Sequence, residues 1–503
     1  MKPAQNPPDY SDVQGFVRRG YGKLTEACYA LLKVTDAAPA RDWIERASIT
    51  SADKKTDGLE TAVQIAFTAV GLKELGVPAD VIAGFSPEFI AGLAGDPNRS
   101  RRLGDVGESA PARWRWGAGE MQPDLVVMLF ALPGMLEELQ RRCSAEWAAA
   151  FRVMAWLDTS NMGGHEPFGF KDGVSQPYID WDRERHIAGD QVTYQNIVAL
   201  GEFLLGYPNE YGKYTERPVI DPGGAAECLL AAEDQPVKRD LGRNGTYLVM
   251  RQLEQDVPRF WEFAMKASGG DSTQADTLAA SFVGRTQSGT PLASAGRTIP
   301  GVQDTPSALA ANGFTFDEDP NGVRCPIGAH VRRTNPRNAD LPTPPPNPVA
   351  YLIAKVGLGP HPPRSDLLSS TRFHRILRRG REYGQLLTPA DAKRGPADSS
   401  ERGLHFACIN ANILRQFEFL QNAWIMATKF NGLTDESDPL LGNRAPVPGC
   451  AQTNAFTVQR ERNAPRRIAD LPQFVRVRGG AYFFMPSLRA LKFIARVGAQ
   501  GRS

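Results

Sequence analysis

The chain is predicted to be an α+β protein of two similar halves, each an antiparallel sheet covered by helices. Short apolar runs bounded by turn residues alternate with amphipathic stretches, and the order strand, helix, strand recurs in the second half. A region punctuated by Gly and Pro, from about Asp180 to Asn244, lies between the two. The 503 residues are enough for more than one core. The domains are accordingly set at 1–230 and 231–503.

Taken in order, ALLKV from Ala30 reads as a buried strand and Arg41 to Ala47 as a short helix. AVQIAFT, Ala62 to Thr68, is a second strand running into the helical AVGLKELG, which Gly76 and Pro78 close. LVVMLFA, Leu125 to Ala131, is a third strand, and an amphipathic helix is expected from about Met135 to Met154. In the second half GTYLVMRQL, Gly245 to Leu253, is a strand and Val257 to Lys266 a helix. LHFACI, Leu404 to Ile409, is a strand feeding the helix NILRQFEFLQNAW, and AYFFMP, Ala481 to Pro486, precedes the terminal helix SLRALKFIARV. The helices are expected on one face of the sheet. No sequence repeat relates the halves. Asn335 to Asp366, rich in proline, is either a lid over a site or a surface loop.

Composition is that of an ordinary globular protein, 42% hydrophobic and 23% charged. A formal net charge of +2 makes no case for nucleic acid or an anionic membrane as partner. The first residues, MKPAQNPPDYSD, lack the apolar core of a secretory signal. The longest apolar run, Leu125 to Leu132, is far short of the roughly 20 residues of a membrane span. A cytoplasmic protein is expected. The six cysteines are scattered with no CxxC pair, which argues against a zinc site or a disulfide scaffold.

Three distant segments carry residues suited to one site. GFKDGVSQP, Gly169 to Pro177, presents Asp172 from a turn of glycines and a closing proline. CPIGAH supplies His330, followed by a basic run with Arg332, Arg333 and Arg337, and RILRRG supplies Arg378. The other five histidines have plainer settings. His165, His186 and His361 lie in polar or proline-rich stretches, His374 among cations, and His405 inside an apolar strand. An imidazole beside guanidinium groups suits haem, whose iron takes an axial ligand and whose propionates need cations. Asp172 then suits a proton shuttle for peroxide and Arg378 a fixed cation for the developing charge. A carboxylate works as a base at mildly acidic pH, where a histidine would be protonated.

In these motifs and their order the chain resembles the dye-decolorising peroxidases. The likeness also runs through AVQIAFTAVGLKELG, GEFLLGYPNEYG at Gly201, NGTYLVMRQLEQDV at Asn244 and RGLHFACINANILRQFEF at Arg402. It implies two ferredoxin-like halves, haem b held mainly by the C-terminal half, and oxidation of phenols or dyes by hydrogen peroxide in one-electron steps. It assigns Asp172 and Arg378 to the distal side, His330 to the iron and Arg337 to a propionate. Tyr383 matches a tyrosine that carries a radical to the surface in some members, and a packing role serves it equally. Long inserts suggest the bacterial, intracellular type. Pro167 stands where some members have a histidine. Asn412 stands where an aspartate could hold the proximal imidazole, leaving the partner of His330 open. A haem-handling protein with incidental peroxidase activity would use the same ligands.

Overall fold

The computed structural model describes residues 7–55, 57–184, 197–294, 311–337, 370–395 and 400–498, together with Val349, Leu352, Ile353 and Val356. Most of the proline-rich excursion, along with His186 and His361, lies outside them.

Fifteen strands are present among the described residues. Four precede residue 160: β1 (Glu26–Val34), β2 (Thr61–Phe67), β3 (Leu125–Ala131) and β4 (Phe151–Asp158). Short strands β5 (Tyr178–Asp180), β6 (Ile197–Ala199), β7 (Val219–Ile220) and β8 (Arg239–Asp240) make small pairs outside the main sheet. The second group is β9 (Thr246–Gln255), β10 (Leu377–Arg378), β11 (Arg381–Gly384) and β12 (Arg402–Asn410). After the small pair β13 (Phe456–Val458) and β14 (Arg466–Ile468) comes β15 (Val475–Met485). One nine-stranded antiparallel sheet runs β10-β12-β9-β15-β2-β3-β1-β4, with β11 beside β12.

This order contains the same topology twice. In the first group the strands lie second, third, first, fourth; in the second, β10 and β11 play second strand, β12 third, β9 first and β15 fourth. The halves meet where β15 joins β2, at Phe484 and Phe67. Helix Val257–Ala267, capped by the Asp256 carboxylate, follows β9, and helix Leu488–Val497, capped by Ser487, follows β15. The fold is α+β, with two ferredoxin-like halves.

The long helices pack into one core on one face of the sheet, as expected. The other face is buried as well: along β1, Cys28, Ala30 and Leu32 enter one core and Ala27, Tyr29 and Leu31 the other. The unbroken apolar run of β3, buried at every position, shows the same thing. The helix expected to reach Met154 ends at Trp147, because Phe151 to Met154 belong to β4, which pairs with β1.

Candidate active site

The loop carrying Asp172 is shaped by glycine. Gly169 has φ +97°, and a Cβ there would lie 2.3 Å from Pro389 Cγ, while Gly173, next to Asp172, has φ +72°. His165 and Lys171 bridge across the loop, and the Asp172 N–H donates to the Gly164 carbonyl at 3.0 Å. Trp261 Nε1 donates to the Phe168 carbonyl at 3.1 Å, fastening the loop to helix Val257–Ala267.

Arg378 comes from β10, paired with Cys408 of β12. Gln176 ties the loop to that strand twice. The Arg378 N–H donates to Gln176 Oε1 and Gln176 Nε2 donates to the Arg378 carbonyl, each at 3.0 Å. With the backbones so joined, Arg378 Nη1 donates to Asp172 Oδ1 at 2.8 Å and Nη2 to the Ser175 carbonyl at 3.2 Å. Burial pushes the Asp172 carboxyl up, but the Arg378 charge, the Gly173 N–H, the Arg378 hydrogen bond and His330 together hold it below its ordinary value.

His330 opens the short helix His330–Thr334. Its Nδ1 lies 3.0 Å from Oδ2 of Asp438, which is fully buried. Asp438 Oδ1 accepts the N–H groups of Leu440 and Leu441, both at 2.9 Å. Burial opposes ionisation of Asp438, yet His330 and these hydrogen bonds keep its pKa lowered. Asp438 is therefore the partner that the sequence left open. Asn412 instead caps a helical turn, its Oδ1 accepting the Arg415 N–H at 2.8 Å.

Asp172, Arg378 and His330 line one cavity of about 250 Å³. The sheet contributes Leu253, Leu404, Phe406 and Val477 to its wall, and the helical side Val331, Leu420, Ile425 and Leu440. It is an apolar space with polar groups at chosen points, as cofactor sites are built.

The basic run after His330 does other work. Arg333 donates to the carbonyls of Trp424, Ala427 and Glu436, Arg332 to those of Cys325 and Pro320, and Arg337 to those of Asn312 and Phe314. All three are buried and none lines the cavity itself; Arg337 reaches its edge, where Nη2 donates to the hydroxyl of the lining Ser175 at 3.2 Å. The cations that do line it are Lys171, Arg251, Arg285, Arg375 and Arg378. Burial pushes Arg375 down to about 9. Nor is Tyr383 a surface residue. It is 7% exposed, stacks on His405 at 4.5 Å and donates to Glu401 Oε1 at 3.1 Å. His405 is a core residue, with Nε2 3.1 Å from the Asp158 carbonyl. His374 lines the cavity and stacks on Phe419.

No family model matches the chain. It is 29% identical to dye-decolorizing peroxidase msp1 of Mycetinis scorodonius, over 97% of this chain and 88% of that protein. It is 28% identical to multifunctional dye peroxidase DyP2 of an Amycolatopsis, over 91% and 90%. A solved dye-decolorizing peroxidase from Auricularia auricula-judae superposes with a TM-score of 0.70 at 26% identity, over 97% of this chain and all of that one. An ancestral D-type dye-decolorizing peroxidase gives 0.71 at 25%. The chain is a peroxidase, similar over nearly its whole length to dye-decolorizing peroxidases.

The relatives of this peroxidase include fungal as well as bacterial proteins, so they do not single out a bacterial, intracellular type. No helix among its described residues is long and apolar enough to cross a membrane. Dye-decolorizing peroxidases are haem enzymes, and the cavity of this chain fits the group. An imidazole whose Nδ1 is held by a buried carboxylate has Nε2 left for a metal, apolar walls suit the macrocycle, and cations line the same space.

Proposed function

We propose that the chain is a haem b peroxidase that reduces hydrogen peroxide and oxidises phenolic or dye-like donors by one-electron steps. His330 would hold the haem iron, with Asp172 the proton shuttle and Arg378 the charge stabiliser. The boundary at 230/231 belongs to this reading, with every strand of the first repeat before it and every strand of the second after it. So does a reducing compartment, favoured by cysteines that are all unpaired.

The observation that carries the proposal is the contact of Arg378 Nη1 with Asp172 Oδ1 at 2.8 Å, in a cavity that His330 also lines. Haem, when bound, supplies the two electrons that peroxide takes and recovers them singly from the donor. Asp172, ionised even in acid, takes the proton from one peroxide oxygen and returns it to the other, which leaves as water. Arg378 holds that carboxylate in place and offsets the negative charge that grows as the O–O bond breaks. Asp438 keeps Nδ1 of His330 protonated and its ring oriented.

Stopped-flow mixing of the haem-loaded protein with peroxide tests this. A fast, peroxide-dependent spectral change that is lost in Asp172→Ala and in Arg378→Ala is the expected result. Equal rates in wild type and both variants would sink the assignment and favour haem handling.

A further inference from the structure

The turn that presents Asp172 is wound around a second carboxyl group. Glu166 lies six residues before Asp172 and lines the same cavity. Its side chain turns back into its own loop, where Oε1 accepts the Phe170 N–H and Oε2 the Phe168 N–H, both at 3.0 Å. Its backbone closes the turn, with the Glu166 N–H donating to the Phe170 carbonyl at 2.9 Å and the Gly169 N–H to the Glu166 carbonyl at 2.8 Å. A link to the sheet completes the arrangement: Gln255 Nε2, at the end of β9, donates to Glu166 Oε2 at 2.7 Å. The other end of that amide, Gln255 Oε1, is buried and has no hydrogen-bond partner.

We propose that Glu166 is a positioning residue for Asp172, holding the turn to β9 through Gln255 whether or not its carboxyl group carries a proton. This rests on the role given to Asp172 above and adds a group to it. When Glu166 is ionised it accepts from two backbone N–H groups and from the Gln255 amide. When it is protonated, half a turn of that amide brings Gln255 Oε1 to receive the Glu166 O–H, and the number of hydrogen bonds between the side chains is unchanged. The main chain need not move.

The surroundings say when the exchange occurs. Burial, opposed by Gln255 and the two backbone N–H groups, pushes the Glu166 carboxyl up to about 7, and the charge of Asp172 pushes in the same direction. Asp172 and Lys171 are the charges on its own loop that share the cavity, with Arg378 from β10, Arg285 from the turn after helix Ser272–Val283 and His330 from the helical side. Strand β9 offers it the neutral Gln255, and helix Val257–Ala267 packs Phe260 and Trp261 against Phe168 and Phe170. In acid, Glu166 is neutral and Asp172 is the ionised carboxylate of the loop. Above about 7 a second negative charge enters beside it.

Infrared difference spectra of the haem-loaded resting protein, taken across a pH titration, read this directly. The wild type is expected to lose a carboxylic-acid C=O band near pH 7. Glu166→Gln should lack that band, and Asp172→Asn should move its loss to lower pH, because the neighbouring charge is gone. In stopped-flow, Glu166→Ala should slow the peroxide reaction by roughly tenfold or more, with Glu166→Gln restoring most of the rate in acid. A band that survives in Glu166→Gln, or a Glu166→Ala protein reacting like wild type at every pH, overturns the proposal. The volume-conserving Glu166→Gln keeps the test usable if the alanine variant does not fold. The infrared band is independent of turnover, so failure of the Asp172 assignment, seen as an unimpaired Asp172→Asn, is distinguishable from failure of this one.

Discussion

The two halves of the sheet repeat one strand order but fill the space beneath their helices differently. In the N-terminal half aromatic rings fill the space beneath helix Leu136–Trp147: Trp43 meets Trp147 at 5.6 Å and Phe151 at 5.5 Å, both edge to face. In the C-terminal half the corresponding face of β9 and β12 stops short of its helices, and Leu253, Leu404 and Phe406 line a cavity instead. Two of the polar groups of that cavity come from outside the strands, Asp172 on the loop after β4 and His330 on the segment before β10, and Asp438, which holds His330, comes from the turns before β13. A shared topology thus sets the frame, and the loops decide which half holds a site.

The largest difference between the halves should appear in reactivity. Asp172→Asn keeps the shape of the loop but removes the base, and the second-order rate with peroxide should fall by about 10²–10⁴ in stopped-flow. In the packed half, Trp147→Ala should destabilise the fold by about 3–5 kcal/mol in denaturant titrations, by cavity formation, and leave the peroxide rate of the folded protein unchanged. An altered rate there would mean that the halves are not functionally separate. Asp438→Asn weakens the hold on His330 Nδ1 and should lower haem affinity by about 10–100-fold, measured by transfer of haem to an acceptor protein.

The smallest effect concerns pH. The Asp172 pKa is lowered, so the acid limb of the peroxide reaction should lie below the ordinary carboxylate value of 3.8. Removing the guanidinium in Arg378→Ala leaves burial less opposed, and whatever rate remains should show that limb displaced upward. The same sign governs stability. Asp172 and Asp438 both have depressed folded values, so each contributes stability above pH 3.8 that is lost as pH falls through the folded value. Acid unfolding midpoints of Asp438→Asn and wild type check this.

Residues that declare themselves locally were readable in the sequence. Asp172 stands in a glycine turn, His330 and Arg378 in compact motifs, and β3 is an apolar run with the bounds assigned from sequence. What depends on distance was not readable. Asp438 lies 108 residues from His330, in a polar stretch with no periodicity to mark it as buried. The arginines after His330 show their charge in the sequence but not their burial, and backbone carbonyls, which every sequence has, are what hold them. The helix expected to reach Met154 failed for a related reason. Phe151, Val153 and Met154 continue an apolar pattern, and only pairing with β1 makes them a strand. Short β10, which carries Arg378, is fixed by β12 and by Gln176 and not by its own two residues.

The central claim is that the C-terminal half holds haem through His330. Titrating the haem-free protein with haem and following the Soret band, in wild type and in His330→Ala, tests it most directly. The account predicts saturation at one haem per chain in wild type and loss of that tight, saturable band in the variant. An unchanged titration in His330→Ala would contradict it.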